Sequence, residues 1–157
     1  IFHDPGMLFS ILYRFERFFL YESNWLGKVI GRCLYPLYYV ITYYILSYHI
    51  EPLVKIGPGL FLHNRNIVIT DTVEIGENFS IMGQTTIGTD FFSSGRLTIG
   101  NGVWLGAGAK IIISTDMSIA DDVVIGANAV VVKSILEKNS IYGGIPARFI
   151  KHRTKNN

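Results

Sequence analysis

From Val54 onward, mostly apolar residues fall in pairs separated by one position: Val54/Ile56, Leu60/Leu62, Ile67/Ile69, Val73/Ile75, Phe79/Ile81, Thr85/Ile87, Leu97/Ile99, Val103/Leu105, Ala109/Ile111, Met117/Ile119, Val123/Ile125 and Ala129/Val131. The usual step between pairs is six residues. A helix repeats about every 3.6 residues and a continuous strand every two or so, whereas a short strand with two inward residues followed by a turn gives this step. Glycine follows the second member of a pair at Gly57, Gly76, Gly88, Gly100, Gly106 and Gly126, as a tight corner or close backbone approach requires. Three such strands close a coil of about eighteen residues, and about five coils stack into a mainly β hexapeptide solenoid. The period puts Ile69, Ile87 and Leu105 in one column, roughly 4.8 Å apart per coil.

Three breaks interrupt the step, and a solenoid accepts extra residues only where they leave the stacked core. Leu62 to Ile69 covers seven residues, placing one extra in His63-Asn64-Arg65-Asn66, and Ile111 to Ile119 covers eight, placing two extra in Ile112 to Asp116. The pair due after Ile87 falls on Phe91/Ser93, so Phe91-Phe92-Ser93-Ser94-Gly95-Arg96 reads as a loop. Counted around the prism, the last two breaks share one edge in successive coils. His63 sits on another edge, beneath Met82, Gly83 and Gln84. Two such edges meet across a contact between subunits, which predicts an oligomer with shared sites.

Upstream the periodicity is helical. Leu8, Ile11, Leu12, Phe15, Phe18 and Phe19 recur at helix spacing between Met7 and Leu20, with Arg14, Glu16 and Arg17 among them. A second helical stretch runs from Leu26 to Tyr48, and Pro36 is expected to kink or divide it. Its uncharged part, from Cys33, is about sixteen residues, short of the roughly twenty that span a bilayer, and its tyrosines suit a half-wet surface. Packing against another subunit is the first reading of this surface and peripheral contact with the inner face of a membrane the second. The chain thus divides into a helical region over 1–49, a solenoid over 50–147 and a tail over 148–157, whose Lys151-His152-Arg153-Thr154-Lys155 run reads as mobile.

Composition narrows the function. The 157 residues are 49% hydrophobic and 17% charged, which supports a core and excludes a disordered tail protein. Fourteen basic against twelve acidic side chains leave a net charge of +2, too little for a protein that neutralises a phosphate backbone, so nucleic acid is not an expected partner. The one cysteine, Cys33, reads as packing and cannot make an internal disulfide, which suits a reducing, cytoplasmic setting. The first residues lack the basic flank, apolar stretch and cleavage site of a signal peptide. The histidines, His3, His49, His63 and His152, lack metal-ligand spacing, so no metal is expected.

The ordered set Ile56-Gly57-Pro58-Gly59-Leu60-Phe61-Leu62-His63, Ile67-Val68-Ile69, Ile87-Gly88-Thr89, Ile99-Gly100-Asn101-Gly102-Val103-Trp104-Leu105-Gly106-Ala107-Gly108-Ala109-Lys110 and Gly143-Gly144-Ile145-Pro146-Ala147-Arg148 resembles the serine acetyltransferase-like branch of the hexapeptide acyltransferases. The resemblance implies a left-handed parallel β-helix, a homotrimer or dimer of trimers, and acetyl-CoA as donor between subunits. It implies His63 as the base that deprotonates the acceptor, and Asp4, before Pro5, as an acidic substrate residue of the helical region. Asp4 also reads as a helix N-cap. An imidazole with an ordinary pKa near 6.5 can take a hydroxyl proton and pass it to a departing thiolate.

The departures from the branch steer the acceptor. Leu62 stands where serine acetyltransferases carry Asp before the histidine, His49 where they carry another Asp, and Arg96 where an Arg-His pair supplies a second histidine. With those carboxylates gone, and with Asn64, Arg65 and Asn66 able to hydrogen-bond sugar hydroxyls, the leading expectation is an acetyl-CoA-dependent O-acetyltransferase of a sugar or surface-polysaccharide precursor. Serine O-acetylation, a small-molecule or antibiotic acetyltransferase, and a non-catalytic trimeric binding solenoid are the alternatives. For the donor, Gly83, Thr89, Gly106, Ala107 and Ala127 offer small turns for a pantetheine arm. Lys133 and Arg148, with Lys110, are the candidates for phosphates. Glu51 or Asp71 is the candidate to orient His63.

Overall fold

Asp4 sits in extended backbone and accepts a hydrogen bond from the Gly6 N–H at 2.9 Å, while Pro5 takes the first helical position of α1 (Pro5–Arg17). The computed structural model describes residues 4–90 and 92–154. One face of α1 buries Phe9, Tyr13 and Glu16 over the first coil of the solenoid. Phe9 lies against the Tyr48 ring with centroids 5.1 Å apart, and the Tyr13 hydroxyl donates to the Val54 carbonyl. Arg14 and Arg17 donate to the carbonyls of Gly57 at 2.7 Å and Pro52 at 2.9 Å. These bonds occupy backbone acceptors that have no coil beneath them.

After wider π-helical turns at Phe18–Glu22, Asn24 caps α2 (Trp25–Tyr39) by accepting from the Gly27 N–H at 3.0 Å. Pro36 does not divide this helix, which runs on to Tyr39 and then widens into π-helical turns at Val40–Ile45. The helical stretch ends earlier than the sequence suggested, because Tyr48 is buried against Phe9 and opens the first strand.

The strands lie on three faces of parallel ladders. Face one carries β1 (Tyr48–Ile50), β4 (Ile67–Ile69), β7 (Thr86–Thr89), β10 (Lys110–Ile113) and β13 (Val130–Val131). Face two carries β2 (Lys55–Ile56), β5 (Val73–Ile75), β8 (Leu97–Ile99) and β11 (Met117–Ile119), with Ile135 bridging to Ile119 in the fifth coil. Face three carries β3 (Phe61–His63), β6 (Ser80–Met82), β9 (Trp104–Leu105), β12 (Val124–Ile125) and β14 (Ser140–Gly143). The architecture is the expected β-solenoid of about five coils behind two helices, and the alternating inward residues, Ile67, Ile81, Ile87, Leu97, Val103, Ile111 and Val123 among them, form its core.

The expected column needs one correction. Ile69 and Ile87 stack on face one, but their continuation is Ile111 and Val131, while Leu105 stacks between Ile81 and Ile125 on face three. Ile69 and Ile87 are 18 residues apart, Ile87 and Ile111 are 24. The added residues of this step precede Leu97 in the third coil, where Phe92, Ser94 and Arg96 are exposed; Phe91 lies outside the described residues.

The corners divide their work between two residue types. At Gly57, Gly76, Gly100 and Gly106 stacking requires glycine: a Cβ on Gly57 would stand 2.7 Å from the backbone of Gly76, and one on Gly106 would stand 2.6 Å from the Ala127 nitrogen. The turns themselves use left-handed backbone at Asn64, Asn66, Asn78, Gln84, Asp122, Asn128 and Asn139. Asn and Asp tolerate that region better than other residues with a Cβ.

Arg148–His152, at the start of the expected tail, forms β15, antiparallel to β14, so Lys151 and His152 of the run expected to be mobile are strand residues. Arg153 continues this cover: its N–H donates to the Asn139 carbonyl at 2.7 Å, and its guanidinium lies over the Trp104 ring and 3.8 Å from Asp122. The backbone of β14 offers hydrogen-bonding groups that a sixth coil would otherwise meet, and β15 meets them instead. Lys155 lies outside the described residues.

Candidate active site

His63 is the last residue of β3, at the edge between faces three and one, which we call the histidine edge. Strand alternation turns Leu62 into the core, where it is 6% exposed, and turns Phe61 and His63 outward. The Phe61 ring meets the imidazole edge to face, with centroids 4.1 Å apart. Leu62 therefore occupies the position before the histidine as a core residue.

Two contacts fix the surroundings of this strand. Gly6 at the start of α1 packs against Leu62 so closely that a Cβ there would stand 2.7 Å from the Leu62 carbonyl oxygen. This places the N-cap Asp4 beside the strand that carries His63. The Tyr48 hydroxyl donates to the Asn64 carbonyl at 2.9 Å, and the Asn66 N–H donates to the Ser47 carbonyl at 2.9 Å, so the turn after His63 is held from below. Asn64, Arg65 and Asn66, which follow His63 in the turn, are exposed. Arg65 reaches the Ile45 carbonyl at 3.4 Å, toward the helical region.

Above His63 the histidine edge is built of small residues. Gly83 covers the turn, and a Cβ on it would stand 2.6 Å from the Arg65 carbonyl oxygen. The Gly83 carbonyl accepts from Gly108 N–H at 3.0 Å, the Ala107 carbonyl from Asn128 N–H at 2.9 Å, and the Gly144 carbonyl from Val130 N–H at 3.0 Å. Gly83, Gly106, Ala107 and Ala127 thus line one strip that climbs from His63 through the remaining coils, a rise of about 19 Å at the spacing of hydrogen-bonded strands. Lys110 bends toward this strip, its Nζ 3.3 Å from the Gly108 carbonyl. At the last coil Lys133 and Arg148 line one cavity of about 160 Å³ with Val131, Tyr142 and Phe149.

Thr89 and Arg96 stand elsewhere in the protomer. Thr89 ends β7 and pairs with Ile113, at the edge between faces one and two that also carries the insertions. At this insertion edge the Arg96 N–H is held by the Asp116 carboxylate at 2.9 Å, and the residue lines a groove of about 410 Å³ with Lys55, Asp71 and Glu74. Neither carboxylate expected to orient His63 does so. Glu51 accepts from the Tyr35 hydroxyl at 3.4 Å, and Asp71 lies in the Arg96 groove, because both follow face-one strands and so turn at the insertion edge. His49 stacks flat on Tyr43 with centroids 3.5 Å apart. Among the described residues no group of histidine, cysteine or carboxylate side chains is arranged to hold a metal ion.

Sequence reasoning missed two residues that shape the site. Tyr48 holds the histidine turn, and Gly6 lets α1 approach β3. Tyr48/Ile50 is the pair that continues the apolar series one step below Val54, which was the available signal for Tyr48. Nothing in the sequence alone marks Gly6 as a contact.

The relatives agree with this architecture. The serine acetyltransferase of Helicobacter pylori strain ATCC 700392 / 26695 is 40% identical over 113 residues, which are 70% of this chain and 65% of the relative. The serine acetyltransferase of Brucella abortus strain S19, solved in complex with coenzyme A, superposes with a TM-score of 0.80 at 29% identity, covering 97% of this chain and 58% of that one. The chain belongs to the serine acetyltransferase-like branch of the hexapeptide-repeat superfamily. A further member of that branch, the soybean serine acetyltransferase complexed with serine, superposes with a TM-score of 0.78 at 26% identity over 94% of this chain and 58% of its own. The chain therefore spans less than two thirds of the length of these branch members. No family model matches the sequence.

Proposed function

We propose that the protein is an acetyl-CoA-dependent O-acetyltransferase with His63 as general base and serine as acceptor. The observation that carries the reading is the histidine edge: one outward imidazole at the foot of a strip of small residues. The donor's pantetheine arm would lie along Gly83, Gly106, Ala107 and Ala127, with its phosphates toward Arg148, which pairs with Gly143 at the end of β14, while Lys133 follows β13 and turns at the insertion edge, from where it lines the same cavity as Arg148. The bound coenzyme A of the Brucella relative supports this donor.

Serine replaces the sugar hydroxyl as the acceptor. The sugar expectation rested on lost carboxylates, yet α1 places Asp4 beside β3, where one carboxylate is enough to pair with an ammonium group. The relatives named above are serine acetyltransferases, and one was solved with serine. Leu62 then acts as a core residue, and the turn residues Asn64, Arg65 and Asn66 border the acceptor.

In the reaction His63 accepts the serine hydroxyl proton as the oxygen attacks the thioester carbonyl. The tetrahedral oxyanion collapses, the C–S bond breaks, and the imidazolium returns the proton to the thiolate, leaving O-acetylserine and the free thiol. Backbone N–H groups of the glycine-rich turns are the donors available for the oxyanion. Thr89 and Arg96 join the site only if the insertion edge of a neighbouring subunit meets this histidine edge, as in the proposed trimer.

Thiol release from acetyl-CoA, measured with serine and with nucleotide sugars and capsule oligosaccharides, tests the reading. Serine-dependent release is expected to fall by about 10² to 10⁴-fold in His63→Ala, the usual contribution of a general base. Release that requires a sugar and ignores serine would overturn the acceptor. Release unchanged in His63→Ala would remove the base.

A further inference from the structure

Alternation along β3 gives His63 an aromatic neighbour in place of a carboxylate. Phe61 and His63 project on one side of the strand, and Leu62 between them enters the core, turned away from the imidazole. The Phe61 ring plane stands 81° from that of His63, with centroids 4.1 Å apart. Both residues are anchored through the backbone. Phe61 pairs with Ser80 and His63 with Met82 in the coil above, and the Phe61 N–H donates to the Phe79 carbonyl at 2.8 Å. The turn that follows is held by the Tyr48 hydroxyl on the Asn64 carbonyl. The register of the ladder therefore brings the two rings together.

A general base must aim one ring nitrogen at the hydroxyl it deprotonates, yet the last torsion of a histidine side chain is broad. A carboxylate bonded to the other nitrogen is one way to remove that freedom. Here Glu51 and Asp71 turn at the insertion edge instead. A ring packed edge to face restricts the same torsion, because rotating the imidazole plane forfeits the contact. The geometry points to Phe61 as the positioning residue of His63, fixing the plane in which the imidazole takes up the acceptor proton. The role rests on His63 as the general base proposed above.

Steady-state thiol release by the whole protein with serine and acetyl-CoA, compared among Phe61→Leu, Phe61→Tyr and His63→Ala, tests this. An aromatic pair favours its own geometry by about two- to tenfold, so Phe61→Leu should lower kcat by that factor. The KM values for serine and acetyl-CoA should stay within about twofold, as for an interaction used only in the chemical step. Phe61→Tyr keeps the ring and should retain the parent kcat. The imidazole C–H resonances of His63, assigned by their loss in His63→Ala, should move in Phe61→Leu and hold their positions in Phe61→Tyr. Phe61 is half exposed, so its replacement leaves the core intact, and unchanged melting would verify each fold. An unchanged kcat in Phe61→Leu beside a collapsed one in His63→Ala overturns the proposal and leaves the base standing. Equal loss in the Leu and Tyr variants overturns it too, as does a loss carried by the KM for serine with kcat intact. Release that is unchanged in His63→Ala, or absent with serine in the parent, overturns the underlying reading and the role of Phe61 with it.

Discussion

Glu16 is 2% exposed, its Oε1 has no hydrogen-bond partner, and burial holds its carboxyl above the usual carboxylate range. A carboxyl whose pKa is higher folded than unfolded favours folding while protonated in both states and penalises it once the pH passes the folded value. Glu16→Gln should therefore melt higher than the parent at neutral pH, and the gap should close as the pH falls toward the ordinary carboxylate pKa; a gap independent of pH would refute the burial account. The opposite sign holds for Gly6 and Gly83. Ala at either position puts a Cβ within 2.7 Å of a backbone oxygen, so the chain must shift. Gly6→Ala should displace Asp4 and raise the KM for serine more than that for acetyl-CoA. Gly83→Ala should do the reverse, which steady-state kinetics would separate, each with a stability cost on the order of 1–3 kcal/mol.

At the scale of elements, a strand here is two or three residues, and its stability comes from the coil above and below. Ile87, fully buried between Ile69 and Ile111, is the clearest probe: Ile87→Ala should cost about 2–5 kcal/mol, seen as a lower midpoint in urea. The pairs that made the solenoid legible in the sequence are these inward residues, since each is buried for a reason that recurs every coil. His63 was legible for the complementary reason, as a break in the register matched by the family resemblance. What stayed hidden depends on contacts between distant parts of the chain. The column through Leu105 was misassigned because the sequence does not reveal that the face-two pair after Ile87 is Leu97/Ile99, which makes the third coil longer than the others. Glu51 and Asp71 looked available to His63 because an edge must be known before its residues can be kept apart. β15, by contrast, is local: it folds back on β14 across the turn 144–147, and it was read as a tail because it adds no further coil and so falls outside the six-residue step.

For the whole molecule, each coil touches mainly its neighbours, so the two ends set how the stack opens. α1 closes one end with hydrogen bonds to carbonyls of the first coil, and β15 closes the other. Arg153 reaches back from β15 to the Gly102 and Asn139 carbonyls, tying the last cover to earlier coils. Removing residues from 148 onward should expose β14 and speed amide hydrogen exchange in the fifth coil well before the second, and uniform acceleration would argue against end-first opening. The insertion edge has a different consequence. Its long loop sits outside the stack, where doubling a flexible segment costs only about 0.6 kcal/mol. A stack of this kind can therefore lengthen the surface it turns toward a neighbour while the ladder that seats His63 keeps its register, so that reach and registration are handled by different edges of one prism.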